Sequence, residues 1–221
     1  MASNRAGSGY LVLPDGYVSG PGVLVLHSWW GLTPFFKQVC DRLADEGFVA
    51  LAPDLLAGQR PGDPEEARTV LAEADMDATL ELVRSSLFTL RGLPATPDAP
   101  VGVVGFSMGA SWALLMASRL PELVGATVTF YGAQNVDMAP ATSPFLGHYA
   151  ERDEYVPEDD LVMLEAELRL LEKDVTFHRY PGTDHWFFES DRPAYDAEAA
   201  TLAWSRTVEF LHRHLDTPPA D

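Results

Sequence analysis

Gly105-Phe106-Ser107-Met108-Gly109 constrains this chain more than any other stretch. A β-rich run, Val101 to Val104, leads into it, and an apolar helical pattern from Trp112 to Leu120 leads out. Gly-x-Ser-x-Gly between a strand and a helix is the pattern of a nucleophile elbow, a corner that holds the serine at its apex. The two glycines answer a steric need, because so tight a turn presses backbone against the positions flanking the serine. A chain built around this feature must supply a buried strand, a covering helix and partners for the hydroxyl.

From the start of the chain, Tyr10 to Leu13 reads as a short strand closed by Pro14-Asp15-Gly16. Val23-Leu24-Val25-Leu26 is continuously apolar, as strands buried on both faces are. It ends in His27-Ser28-Trp29-Trp30-Gly31-Leu32. Thr33-Pro34 suits an N-cap and first helical position, and Gly47 suits the stop. Between them Phe36, Val39, Cys40 and Leu43 recur at helical spacing, which assigns Cys40 to the core rather than to chemistry. Further strands are expected at Phe48 to Ala52, Ala126 to Phe130, Phe145 to Tyr149 and Val175 to Tyr180. The remaining helices are a long acidic one over Glu65 to Leu90, one from Pro157 to Lys173, and one from Pro193 to Leu215. Strands alternating with helices predict an α/β fold, a mostly parallel central sheet with helices on both faces. One domain is expected over residues 10–215, with flexible ends at 1–9 and 216–221.

A serine hydroxyl is a weak nucleophile at neutral pH and needs a base within hydrogen-bond reach, itself oriented by an acid. Ligands of parallel sheets bind beyond the carboxyl ends of the strands. Ser107, Asp153 and His185 all fall at such ends, in the chain order serine, acid, histidine. His185 follows a late strand through Pro181-Gly182-Thr183-Asp184. The other histidines fit less well: His148 and His178 lie within strands, His212 and His214 near the end of the last helix, and His27 ahead of the elbow. Among the acids, Asp184 is too close to the base to face its ring and Asp54 reads as structural. Asp137 is the alternative to Asp153.

Length and composition set the outer bounds. A chain of 221 residues, 47% hydrophobic and 22% charged, is an ordinary globular protein with room for one full core. Its net charge of −18 argues against nucleic acid or an anionic membrane as partner. A single cysteine permits no internal disulfide, no apolar run reaches the ~18 residues of a spanning helix, and Met1 to Gly9 lacks the core of a signal peptide. A cytoplasmic location is expected, as a monomer or small homo-oligomer with no cofactor and no metal.

Together these residues resemble the dienelactone hydrolase family of α/β-hydrolases, from about Tyr10 to Leu215. The likeness rests on Pro21-Gly22-Val23 leading to Trp29-Trp30-Gly31-Leu32, on Arg42 to Leu55, and on the elbow. Asp153-Glu154-Tyr155-Val156-Pro157 and Tyr180-Pro181-Gly182 leading to His185-Trp186-Phe187 complete it. The resemblance implies hydrolysis of an ester or lactone through an acyl-enzyme. It also implies that Trp29 and Met108 supply the two backbone N–H groups of an oxyanion hole. Three positions depart from the family's founding members: Ser107 stands where they carry cysteine, Ser28 where they carry glutamate, and Glu189 where an arginine grips the substrate carboxylate. Glu189 is thus expected to repel anions and favour uncharged substrates, with Arg68 a candidate for a remaining carboxylate contact. Ser28, Trp30, Tyr131, Phe145, Trp186 and Glu189 are the candidate substrate contacts, with Trp29 and Trp112 as further candidate walls. Acyl transfer to an acceptor other than water, or a hydrolase fold kept as a binding module, are the alternative readings.

Overall fold

The structure, a computed structural model, describes residues 9–17 and 19–216. Apart from Gly9 and Asp216, the expected flexible ends lie outside the described residues. Seven strands make one sheet: β1 (Tyr10–Val12), β2 (Gly22–Leu26), β3 (Val49–Ala52), β4 (Val101–Phe106), β5 (Val124–Phe130), β6 (Phe145–Arg152) and β7 (Val175–Asp184). Their order is β1-β3-β2-β4-β5-β6-β7, with every pairing parallel except the edge pair β1 and β3. Among the described residues six α-helices lie between or after them: α1 (Pro34–Asp45), α2 (Pro64–Ala72), α3 (Met76–Arg91), α4 (Met108–Arg119), α5 (Glu158–Leu170) and α6 (Ala197–Leu215).

Side chains alternate across a strand, so each interior strand feeds two cores. Val23 and Val25 of β2 face a cluster with Phe36, Val39 and Leu43 of α1 and Ala203, Phe210 and Leu211 of α6. Leu24 and Leu26 face the other cluster, with Val83 and Leu87 of α3, Trp112 and Met116 of α4, and Leu164 and Leu168 of α5. Each such side chain contributes about 1.5–3 kcal/mol on full burial. That is why β2 and β4 are apolar without interruption.

Several boundaries differ from the expectation. The acidic stretch is two helices, because Asp75 turns its carboxylate onto the N–H groups of Asp77 and Ala78 and starts a new helix. Similarly, the last helix begins at Ala197, where Asp196 accepts from the Ala199 N–H. Thr33 has the extended backbone of an N-cap but makes no side-chain cap bond, and its hydroxyl is buried without a partner among the described residues. No described helix is long and apolar enough to cross a membrane. The chain leaves β2 towards β3 on one side and returns to β4 on the other. The loops after β2 and β4 therefore part at the sheet's switch point and open a crevice between them.

Candidate active site

Ser107 sits in that crevice at φ 51° and ψ −114°, the strained corner expected of the elbow. A Cβ on Gly105 would lie 2.3 Å from the Gly109 carbonyl oxygen, and one on Gly109 would lie 2.1 Å from that of Leu26. Both glycines are therefore steric requirements. A third went unrecognised in the sequence: a Cβ on Gly132 would lie 2.5 Å from the Ser107 carbonyl oxygen. Tyr131 (φ 37°) and Trp186 (φ 67°) share the positive backbone angle of Ser107. Such residues cost on the order of 1–3 kcal/mol each and gather where function requires them.

The three side chains singled out in the sequence meet. Ser107 Oγ lies 2.9 Å from His185 Nε2, and His185 Nδ1 lies 2.8 and 2.7 Å from the two carboxylate oxygens of Asp153. One Asp153 oxygen also accepts from the N–H groups of Tyr155 and Val156, each at 2.9 Å. A carboxylate only accepts, so His185 Nδ1 carries the proton and Nε2 turns its lone pair to the serine. Asp153 and His185 are almost closed to solvent, with side chains 6% and 3% exposed. The rival acids are engaged elsewhere. Asp54 is buried against Arg60 and the N–H groups of Leu56 and Gly58, and Asp137 accepts from the Ala139 N–H. His148 is buried between Tyr180 and Thr207.

Met108 opens α4, where a backbone N–H has no partner within the helix. Among the described residues the Trp29 N–H likewise donates to no acceptor, while the turn around it is held firmly. The Ser28 carbonyl accepts from Gly31 N–H and from His27 Nδ1, and His27 Nε2 accepts from Leu55 N–H. With one ring nitrogen donating and the other accepting, His27 must be neutral, and burial accordingly lowers its pKa to about 4. Trp29, Trp30, Trp186 and Tyr155 form one aromatic cluster beside His185, with ring centroids 4.7–5.7 Å apart. Tyr155 was not among the expected contacts. Its position two residues after the acid, in the turn that the acid caps, was the available signal.

Four of the expected substrate contacts do not line the site. Phe145 is the first residue of β6 and is buried in the lower core. Asp153 follows the other end of that strand, roughly 25 Å away at ~3.3 Å per residue. Glu189 is wholly buried and faces no substrate. Its carboxyl oxygens instead accept from the hydroxyls of Ser28, at 3.1 Å, and Tyr131, at 3.0 Å. Tyr131 and Ser28 are also fully buried, so they support the site from beneath and do not line it. Burial raises the Glu189 pKa to about 8, and burial followed by the nearby Glu189 charge raises that of Tyr131 well above its ordinary value.

One hollow touches the elbow at Met108 and another touches the histidine and the acid. An apolar groove of about 300 Å³ is lined by Leu55, Leu56, Leu71, Met76, Met108 and Leu115, with Trp112 contributing to its wall. The second, a more open cleft of about 630 Å³, touches Asp153, Tyr155, His185 and Trp186. Arg68 is exposed on α2 and lies 5.8 Å from the Trp29 ring centre. Among the described residues no group of three His, Cys, Asp or Glu side chains is arranged to hold a metal ion.

A seven-stranded sheet of this order, with a strained serine after β4 and an acid and histidine after β6 and β7, defines the class as an α/β-hydrolase. A model of the dienelactone hydrolase family matches residues 8–215. Protein usf of Aquifex pyrophilus is 35% identical over 217 residues, covering 94% of this chain and 93% of that one. Carboxymethylenebutenolidase 1 of Cupriavidus pinatubonensis is 30% identical over 206 residues, covering 87% and 86%. A solved dienelactone hydrolase-like promiscuous phosphotriesterase from metagenomic libraries superimposes with a TM-score of 0.81 at 24% identity, over 94% of this chain and 92% of that one. The chain belongs to the dienelactone hydrolase family.

Proposed function

We propose that the protein hydrolyses an ester or lactone through an acyl-enzyme. The observation that carries this reading is the hydrogen-bonded chain from Ser107 through His185 to Asp153, at 2.9 Å and then 2.7–2.8 Å. His185 Nε2 takes the Ser107 proton as Oγ attacks the carbonyl carbon, and returns it to the leaving alkoxide. Asp153 holds the imidazole in the tautomer that can accept, and stabilises the cation that results. The Met108 and Trp29 N–H groups receive the oxyanion, and water activated by the same histidine then frees the acid. The butenolidase name of the Cupriavidus relative supports a lactone or ester as substrate. So does the aromatic cluster, where Nε1 of Trp29, Trp30 and Trp186 is buried with no acceptor among the described residues. Incubation with a fluorophosphonate probe and peptide mapping should place the label on Ser107. Labelling at another residue, or none on folded protein, would reject the mechanism.

The groove beside Met108 suits the acyl chain and the open cleft beside His185 the leaving group. Burying a methylene is worth ~0.8 kcal/mol, so kcat/KM for a series of linear alkanoate esters should rise by up to about fourfold per methylene until the groove is full. Leu71→Gln should flatten that slope. A parent series with no slope would put the chain elsewhere.

Charge selectivity needs a different reason from the one drawn on the sequence, since Glu189 does not reach the substrate. What remains is the net charge of −18 against two exposed cations, Arg68 beside Trp29 and Arg152 at the rim of the open cleft, the latter already paired with Asp184. Exposed charges interact weakly, so a neutral ester should outrun its carboxylate-bearing counterpart by no more than about fivefold at low salt. Arg68→Ala should widen the gap. A preference of tens of fold in either direction would show a buried charge contact that this site does not contain.

A further inference from the structure

Glu189 is a buried ionisable group that the proposed chemistry leaves unused, yet it touches both halves of the site. Its two hydroxyl contacts span 161 and 58 residues of chain. Ser28 immediately precedes Trp29, and the Tyr131 ring packs 4.9 Å from that of His185. Glu189 also closes the turn that holds the histidine, where Phe187 N–H donates to Asp184 and Glu189 N–H to Trp186.

We propose that Glu189 is a positioning residue for the oxyanion site, its carboxyl clamping the turn that carries Trp29 to the end of β5 and so fixing the aim of the Trp29 N–H. The proposal rests on the hydrolase reading above. The His27 ring and the Gly31 N–H hold the Ser28 carbonyl, while among the described residues only Glu189 holds its side chain. A neutral carboxyl suits the place, because an anion one residue from the oxyanion donor opposes the negative charge that forms there. The ionisable groups around it are Tyr131 just after β5, with Asp153 and His185 beyond its ring, neutral His27 on the β2 turn, and Asp191 and Arg192 on its own turn. Burial outweighs the two hydroxyls and Arg192, and the Asp191 charge reinforces it.

Glu189→Gln and Glu189→Leu test the clamp, with active sites counted by fluorophosphonate and kcat and KM measured for one neutral ester over about pH 6 to 9. Glutamine can bridge the same two hydroxyls without a charge, its amide oxygen accepting from one and its NH2 donating to the other, so its kcat at neutral pH should stay within about threefold of the parent. It should also lack the parent's fall in kcat above about pH 8. Leucine should lower kcat at least about tenfold with little change in KM, short of the ~10²–10³ cost of losing an oxyanion donor outright. Parent-like kcat in titrated Glu189→Leu, equal losses in the two variants, or an alkaline fall that survives in Glu189→Gln would each overturn the clamp. If the leucine variant does not fold, the glutamine pH profile decides. Absence of label on Ser107 in the parent would instead defeat the hydrolase reading itself.

Discussion

Ser107→Ala is expected to lower ester kcat by roughly 10⁴–10⁶, leaving only what the oxyanion donors and substrate binding supply. The size follows from the geometry, because among the described residues only the Ser107 hydroxyl stands against His185 Nε2. Cys40 is fully buried among α1 and β-strand side chains, and burial pushes its thiol up to about 12. Cys40→Ala should therefore retain turnover and lose only some stability. A nucleophile and base that act as a unit are non-additive, so Ser107→Ala with His185→Ala together should cost little more than either alone. Asp153→Asn should cost about 10⁴, because its amide would donate towards Nδ1 and select the tautomer with the proton on Nε2. Melting curves establish that each variant is folded. Turnover in Ser107→Ala above about one per cent of the parent would mean that another group attacks the carbonyl.

How far the site could be read in advance depends on the range of the interactions that make it. The elbow is local, and its sterics are written into five consecutive residues, so Gly105, Ser107 and Gly109 were legible. Asp153 and His185 are far apart in sequence but each sits at a strand end, and topology alone delivers them to one rim. Phe145 shows the limit of that logic. An aromatic residue at a strand boundary says nothing of which end of the sheet it occupies until the strand's direction is known. Glu189 shows another limit. Read singly, a glutamate near the histidine is a negative charge facing substrate. Its burial and its hydroxyl partners depend on contacts across 161 and 58 residues, which no periodicity reports. The break at Asp75 was missed for the opposite reason. The acidic pattern runs through it unchanged, with neither glycine nor proline to mark a cap that one aspartate side chain makes.

The parent protein should lose stability as pH rises from about 6.5 to 8, and Glu189→Gln should remove most of that loss. In the unfolded chain Glu189 titrates near its ordinary value of 4.5, and in the folded protein burial raises it to about 8. Below the first value both states hold the proton and there is no differential. Between the two, the native state retains a proton that the unfolded chain has released, so the contribution to stability declines with pH and levels off above the folded value. A tenfold difference in proton affinity between the two states is worth ~1.4 kcal/mol, which sets an upper bound of roughly 5 kcal/mol across the window. His27 works the other way. Burial lowers its pKa from 6.5 to about 4, so its contribution grows as pH rises between those values, and buried His148 shifts in the same direction. The parent curve should accordingly climb towards mildly acidic pH and then decline, while that of Glu189→Gln climbs and stays level. Urea midpoints at matched pH values measure the difference. The two proteins should be similar near pH 5, with the variant ahead by a few kcal/mol near pH 8 to 9. If instead the curves run parallel throughout, Glu189 is ionised in the native state, and Ser28 and Tyr131 hold a buried carboxylate rather than a neutral acid.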